Sequence, residues 1–222
     1  MIVKIKRQDS ADEKSYYSEF RYMGSGRQTV AHILDELNYT DDLYNINDKH
    51  ERKIVWDCSC LQKVCGSCAM VINGMPALAC ATFIDTDSCD CLLLEPLTKF
   101  PVICDLKVDR SIIFEHPLSS GLYDGKSGVP SAKEHEHMYM ASKCLKCGLC
   151  LEVCPNYIKG EKFYGAAFAN EAYLCYELTE DRKKDIKREY NKHFASHCSK
   201  SFACRDICPA DIPTIASIGK MN

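Results

Sequence analysis

Sixteen of the 222 residues are cysteine, and eleven of these fall into three runs with short, fixed spacings. This arithmetic constrains the chain more than any other feature. In an exported protein such a density reads as a disulfide framework. Here the first twenty residues mix polar and apolar types and carry charge throughout, so no export signal is expected. Cysteines clustered in a reducing compartment read instead as metal ligands.

The first run is Cys60-x4-Cys65-x2-Cys68-x11-Cys80. Its first three members have the C-x4-C-x2-C spacing of plant-type [2Fe–2S] sites, with the fourth cysteine further on. A tight loop at Gly66 and Ser67 can turn amide donors toward the cluster sulfurs. Structural zinc uses C-x2-C pairs, which this spacing does not match. Cys58 offers a rival register, but six residues separate it from Cys65 and no common pattern has that gap.

The second run, Cys144-x2-Cys147-x2-Cys150-x3-Cys154-Pro155, has the spacing of bacterial two-cluster ferredoxins, where the fourth cysteine serves the other cluster. A second copy is therefore expected, and it stands at Cys198-x2-Ser201-x2-Cys204-x3-Cys208-Pro209. Crossing the fourth members assigns Cys144, Cys147, Cys150 and Cys208 to a [4Fe–4S] cluster. Cys154, Cys198 and Cys204 are left for the other. Three thiolates suit a [3Fe–4S] cluster, since Ser201 replaces the fourth; a serine-ligated cube is the alternative. Cys58, Cys89, Cys91, Cys104 and Cys175 receive no role.

The surrounding pattern gives an α+β fold. Residues 2–6 and 17–22 read as strands. Val30, Ile33, Leu34 and Leu37 follow Thr29, an N-cap, at helical spacing. Residues 69–72 and 75–80 flank Asn73-Gly74, a hairpin turn. Together they predict a β-grasp, plant-type [2Fe–2S] ferredoxin domain over 1–106. Helical patterns at 133–143, 164–180 and 182–194 predict an all-α, bacterial-ferredoxin-like domain with two clusters over 107–222. Residues 117–130, rich in Gly, Ser and Pro, read as a connector.

The remaining features exclude function classes. A net charge of −3 does not suggest nucleic-acid binding. No run approaches the roughly 20 apolar residues of a membrane-spanning helix, so the chain is expected to be soluble, against a membrane partner. His193 and His197, at i and i+4, read as a solvated helix face, as do His135 and His137. No Gly-rich phosphate loop or nucleophile–base pair is present, so flavin and substrate are expected on a partner.

These residues resemble the iron–sulfur subunits of the succinate dehydrogenase and fumarate reductase family. The resemblance rests on motif order and on Trp56-Asp57-Cys58-Ser59-Cys60-Leu61-Gln62-Lys63-Val64-Cys65-Gly66-Ser67-Cys68, similar to Gram-positive-type enzymes, as is Ile5-Lys6-Arg7-Gln8-Asp9-Ser10. Leu94-Glu95-Pro96-Leu97, Phe100-Pro101-Val102 and Asp105-Leu106-Lys107-Val108-Asp109-Arg110 are similar to the family's domain junction. The resemblance implies a flavoprotein partner with covalent FAD that interconverts succinate and fumarate. It also implies a cytochrome b-type membrane anchor, often with haem b, that binds quinone or menaquinone, and a peripheral place on the cytoplasmic side of the cell membrane. Electrons would run through [2Fe–2S], [4Fe–4S] and [3Fe–4S] in that order, with Pro155 as a quinone-side contact. Ubiquinone-type members carry Trp and His where this chain has Lys159 and Ser199, so menaquinone, haem or a soluble donor stays open. The alternative is an electron-transfer subunit of a soluble fumarate or related reductase with a non-quinone donor.

Overall fold

Alternation in the first residues sets the N-terminal sheet. In the computed structural model, which describes residues 1–39 and 41–222, β1 (Ile2–Arg7) buries Val3, Ile5 and Arg7 on one face. Strand β2 (Tyr16–Arg21) pairs antiparallel with β1, opposing Phe20 to Val3. Next come β3 (Arg27–Thr29) and α1 (Val30–Leu37). Thr29 caps α1 as its sequence suggests, its hydroxyl accepting from the His32 amide at 3.1 Å. Val30, Ile33 and Leu34 are fully buried on the inner stripe of that helix.

Short strands β4 (Leu43–Tyr44) and β5 (His50–Glu51) form a hairpin. A second hairpin joins β6 (Ala69–Ile72) and β7 (Met75–Leu78). Asn73 and Gly74 turn it with φ of 48° and 80°, the left-handed pair a two-residue turn needs. Strand β8 (Phe83–Asp85) pairs with β3, and β9 (Cys91–Glu95) enters the main sheet parallel to β1. The five-stranded order is β2-β1-β9-β6-β7. Val3, Phe20 and Leu92 form one buried rung; Ile5 and Leu94 form the next. Strands β10 (Val102–Cys104) and β11 (Lys107–Val108) close the unit as a small ladder.

Burying Arg7 in this sheet requires counter-charges. Its Nε donates to Asp105 Oδ1 at 2.9 Å, and its other nitrogens reach Glu51 and the carbonyls of Arg52 and Lys53. Asp105 also accepts from Arg52 and from the amides of Gln8 and Val55. Burial alone pushes the Asp105 carboxyl up. Hydrogen bonds from Arg52, then Arg7 and the Val55 amide, outweigh it and hold the group below the ordinary carboxylate range. The network thus pins residues 51–55, the segment that leads into the first cysteine run.

The chain divides into compact units at Met1–Asp109 and Arg110–Asn222. The expected boundary at 106/107 therefore moves three residues on, because Lys107 and Val108 complete the ladder with β10. The second unit is helical: α2 (Ile112–Ser119), α3 (His135–Ser142), α4 (Leu149–Glu152), α5 (Gly165–Leu178), α6 (Lys183–His193), α7 (Ala203–Asp206) and α8 (Thr214–Met221). Helix α5 is central. Ala166, Ala167, Phe168, Ala169, Ala172 and Tyr173 bury it nearly all round, and α2, α3, α4, α6 and α8 pack against it.

Two expectations are corrected here. Residues 117–130 do not link the units. Pro117 is buried within α2, the Arg182 guanidinium donates to the Asp124 carbonyl, and Ser127 bridges Thr179, so the stretch folds onto the second unit. His193 is buried, not solvated. It stacks on Tyr164 at 3.9 Å between ring centroids, and its Nδ1 donates to the Lys162 carbonyl at 2.9 Å. His137 is likewise half-buried, 3.0 Å from the Ser217 hydroxyl.

Candidate metal centres

The first centre is built by the β6–β7 hairpin and the loop before it. Cys68 immediately precedes β6, Cys80 follows β7, and the Ala79 amide donates to the Cys68 carbonyl at 3.0 Å. The hairpin's open end therefore sets these two thiols side by side. Cys60 and Cys65 come from the preceding loop, where Leu61, Lys63 and Gly66 take positive φ values of 54°, 61° and 75°. Such turns point successive amides the same way, a concavity that suits anionic sulfur. The amides of Gln62 and Lys63 donate to Cys60 and Cys80 sulfurs at 3.3 Å each, and the Ser67 hydroxyl donates to Cys65 at 3.3 Å. That Ser67 bond, followed by the Cys60 amide, lowers the Cys65 thiol to about 6. Burial pushes Cys68 the other way, up to about 12.

The second unit holds two cysteine sets. Cys144, Cys147, Cys150 and Cys208 line one cavity together with Ala167, Pro209 and Ile212. Cys208 comes from the second motif copy, the other three from the first. The Ile212 amide lies 3.5 Å from the Cys208 sulfur, and Arg110 donates to the Cys147 carbonyl at 3.3 Å. Burial raises Cys144, with the Lys146 amide offsetting part of the effect, raises Cys147 to about 11, and raises Cys150 well above the usual thiol range.

Cys154, Cys198 and Cys204 line a different cavity of about 190 Å³, which Ser201 shares. Phe163, Phe194, Ile215 and Ile218 give it apolar walls. Burial, then the charges of Cys154 and Cys198, push Cys204 up to about 11. The two copies share one backbone plan. Lys146 and Gly148 (φ 52° and 87°) enter α4, and Lys200 and Phe202 (φ 58° and 61°) enter α7. Spacing alone did not reveal the left-handed positions, because three of the four are not glycine.

Pro155 is exposed and is not among the residues lining the third set's cavity. Among the unassigned cysteines, Cys58 and Cys91 are exposed, and Cys175 sits in a separate cavity beside Tyr123 and Thr179, raised to about 12 by burial.

The 2Fe-2S iron-sulfur cluster binding domain family matches residues 2–115, and the 4Fe-4S dicluster domain family matches residues 140–212. The succinate dehydrogenase iron-sulfur subunit of Bacillus subtilis is 33% identical over 98% of this chain and 89% of its own length. The chain belongs to the succinate dehydrogenase and fumarate reductase iron–sulfur subunit family. The fumarate reductase iron-sulfur subunit of Wolinella succinogenes is 26% identical over 100% of this chain and 95% of its own. A chain of the Mycobacterium smegmatis Sdh1 complex in the apo form shares the fold, with a TM-score of 0.70, 22% identity and coverage of 99% and 94%. This iron–sulfur subunit is thus an electron-transfer component of an oxidoreductase, with a [2Fe–2S] domain followed by a 4Fe–4S dicluster domain. Among its described residues no helix is long and apolar enough to cross a membrane. The donor sets suit the family's clusters: soft thiols, amides aimed at sulfur and apolar walls that keep water away.

Proposed function

We propose that this subunit relays electrons between the FAD of a flavoprotein subunit and a quinone, or haem b, held by a membrane anchor subunit on the cytoplasmic side of the membrane. Cys60, Cys65, Cys68 and Cys80 hold a [2Fe–2S] cluster; Cys144, Cys147, Cys150 and Cys208 hold a [4Fe–4S] cluster; Cys154, Cys198 and Cys204 hold a [3Fe–4S] cluster. When bound, these clusters supply one-electron carriers that join a two-electron flavin to the far acceptor. The observation that carries the reading is the partition of seven thiols of the second unit into two cavities, with Cys208 crossing to the first motif and Ser201 standing beside the remaining three.

The protein's own part is to hold and insulate. The Gln62, Lys63 and Ser67 donors stabilise negative charge on the first set. Phe163, Phe194 and Ile218 exclude water from the third. Ser199 donates to Asn156, and both line that cavity, while Lys159 is exposed. Neither resembles the Trp and His of ubiquinone-type relatives, which favours menaquinone or haem at this end. Pro155, exposed next to Cys154, is the proposed contact there. A soluble reductase with a non-quinone donor is the second reading, favoured by the same two positions, and the subunits that co-purify decide between them.

Replacing Cys65 with alanine tests the relay. Electron transfer between succinate and quinone should be abolished, while reduction of a dye that reaches the flavin directly survives. Unchanged quinone turnover would place the first centre off the path.

A further inference from the structure

Lys146 stands inside the first cysteine motif, between Cys144 and Cys147, and lines the cavity that those thiols share with Cys150 and Cys208. Its ammonium is paired with the Glu171 carboxylate, and the two side chains are only 21% and 15% exposed. Glu171 belongs to α5, one turn beyond Ala167, which lines the same cavity. Residues four apart share a helix face, so the acid lies on the side of α5 that meets the thiols. Glu171 also accepts from the Tyr123 hydroxyl at 2.9 Å. The stretch 117–130 thus supplies a donor that fixes the acid where Lys146 meets it.

Fastening the motif to α5 does not by itself call for charge, since apolar side chains of similar volume often serve as well as a buried ion pair. The second copy of the motif is the informative contrast. Lys200 holds the matching position, with φ of 58° against 52° for Lys146, and lines the cavity of the third set. It is exposed, and it makes no ion pair among the described residues. Both copies carry a lysine at this point, and only the first is given an acid.

We propose that Glu171 offsets the Lys146 charge beside the [4Fe–4S] cluster and so holds down the reduction potential of that cluster. The proposal rests on the assignment of Cys144, Cys147, Cys150 and Cys208 as its ligands. A cluster gains negative charge on reduction, so a nearby cation raises its potential and a nearby anion lowers it. Neither group has to touch the cluster. At a partly buried site a unit charge within about 10 Å acts through space with little screening, and Lys146 is next in the chain to Cys147.

The test is an anaerobic redox titration of the purified complex, followed by electron paramagnetic resonance, in wild type, Glu171→Gln, Lys146→Gln and the double variant. Glu171→Gln leaves the lysine without its acid. It should raise the [4Fe–4S] midpoint potential by about a tenfold change in the reduction equilibrium, or about 59 mV for one electron. Lys146→Gln leaves the acid alone and should lower the potential by a similar factor, and the double variant should return close to wild type. The other two potentials should not move. A pair that only packs would shift the potential the same way in both single variants, or not at all, and either result would overturn the proposal. Absence of a reduced [4Fe–4S] signal in wild type would instead overturn the ligand assignment beneath it. If Glu171→Gln assembles no cluster, Lys146→Gln alone decides, and an unchanged or raised potential there would refute the proposal.

Discussion

Residues that look alike in sequence have different jobs in this subunit, and burial sorts them. Arg7 falls on the inward face of β1, where the strand's period calls for an apolar side chain. Its charge is tolerated because Asp105, also fully buried, binds it and Arg52 together. Asp105→Asn keeps the shape and removes the counter-charge. We expect a loss of about 3 kcal/mol in urea unfolding, near the low end for a broken buried pair, because Glu51 still faces Arg7 and Asp9 still faces Arg52. A loss below about 1 kcal/mol, the range of exposed pairs, would show that the network adds little. The sign with pH follows from the depressed carboxyl. The stability Asp105 contributes is complete above the ordinary value of about 3.9 and fades as pH falls through its lower folded value. The sorting of Cys144, Cys147, Cys150 and Cys208 into one cavity and of Cys154, Cys198 and Cys204 into another follows the crossed spacing read in the sequence. Arg7 and Asp105 were not legible there, since one chain's pattern does not reveal which buried polar atoms find partners.

The same limit operates on whole elements. Helix α1 and the β6–β7 hairpin were legible because local rules decide them, through the Thr29 cap and the Asn73-Gly74 turn. Residues 117–130 misled because turn-forming composition describes the local backbone and not what it packs against. The histidine of α6 misled for a related reason. His193 joins His116 and Tyr164 in a three-ring stack, with centroid spacings of 3.6 and 3.9 Å, that fastens α2 and α6 to the start of α5. Burial, then the nearby His193 charge, lowers His116 to about 4. The unfolded chain takes up a proton at about 6.5 that the folded one refuses. Stability from this group is therefore full above about 6.5 and is lost as pH falls toward 4. His116→Phe keeps a stacking ring without the titration, so its unfolding free energy should fall less than that of wild type between about pH 7 and pH 5. Parallel profiles would show that His116 is protonated in the folded state.

At the scale of the whole molecule, two units place three thiol sets in series along one chain, and the distinctive set is the one that is a thiolate short. A serine hydroxyl is a far weaker acid than a thiol of ordinary pKa about 8.5, so Ser201, which lines the third cavity with Cys154, Cys198 and Cys204, should leave a vacant iron corner. On the proposed relay, that vacancy would alter the cluster's charge and suit it to the accepting end. Electron paramagnetic resonance of the oxidised, anaerobically purified complex tests this most directly. We predict a sharp signal from an odd-electron [3Fe–4S] cluster in wild type, and its disappearance in Ser201→Cys, where a fourth thiolate completes a cube that is silent when oxidised. An oxidised wild type with no such signal, although the reduced sample shows the other two clusters, would contradict the account.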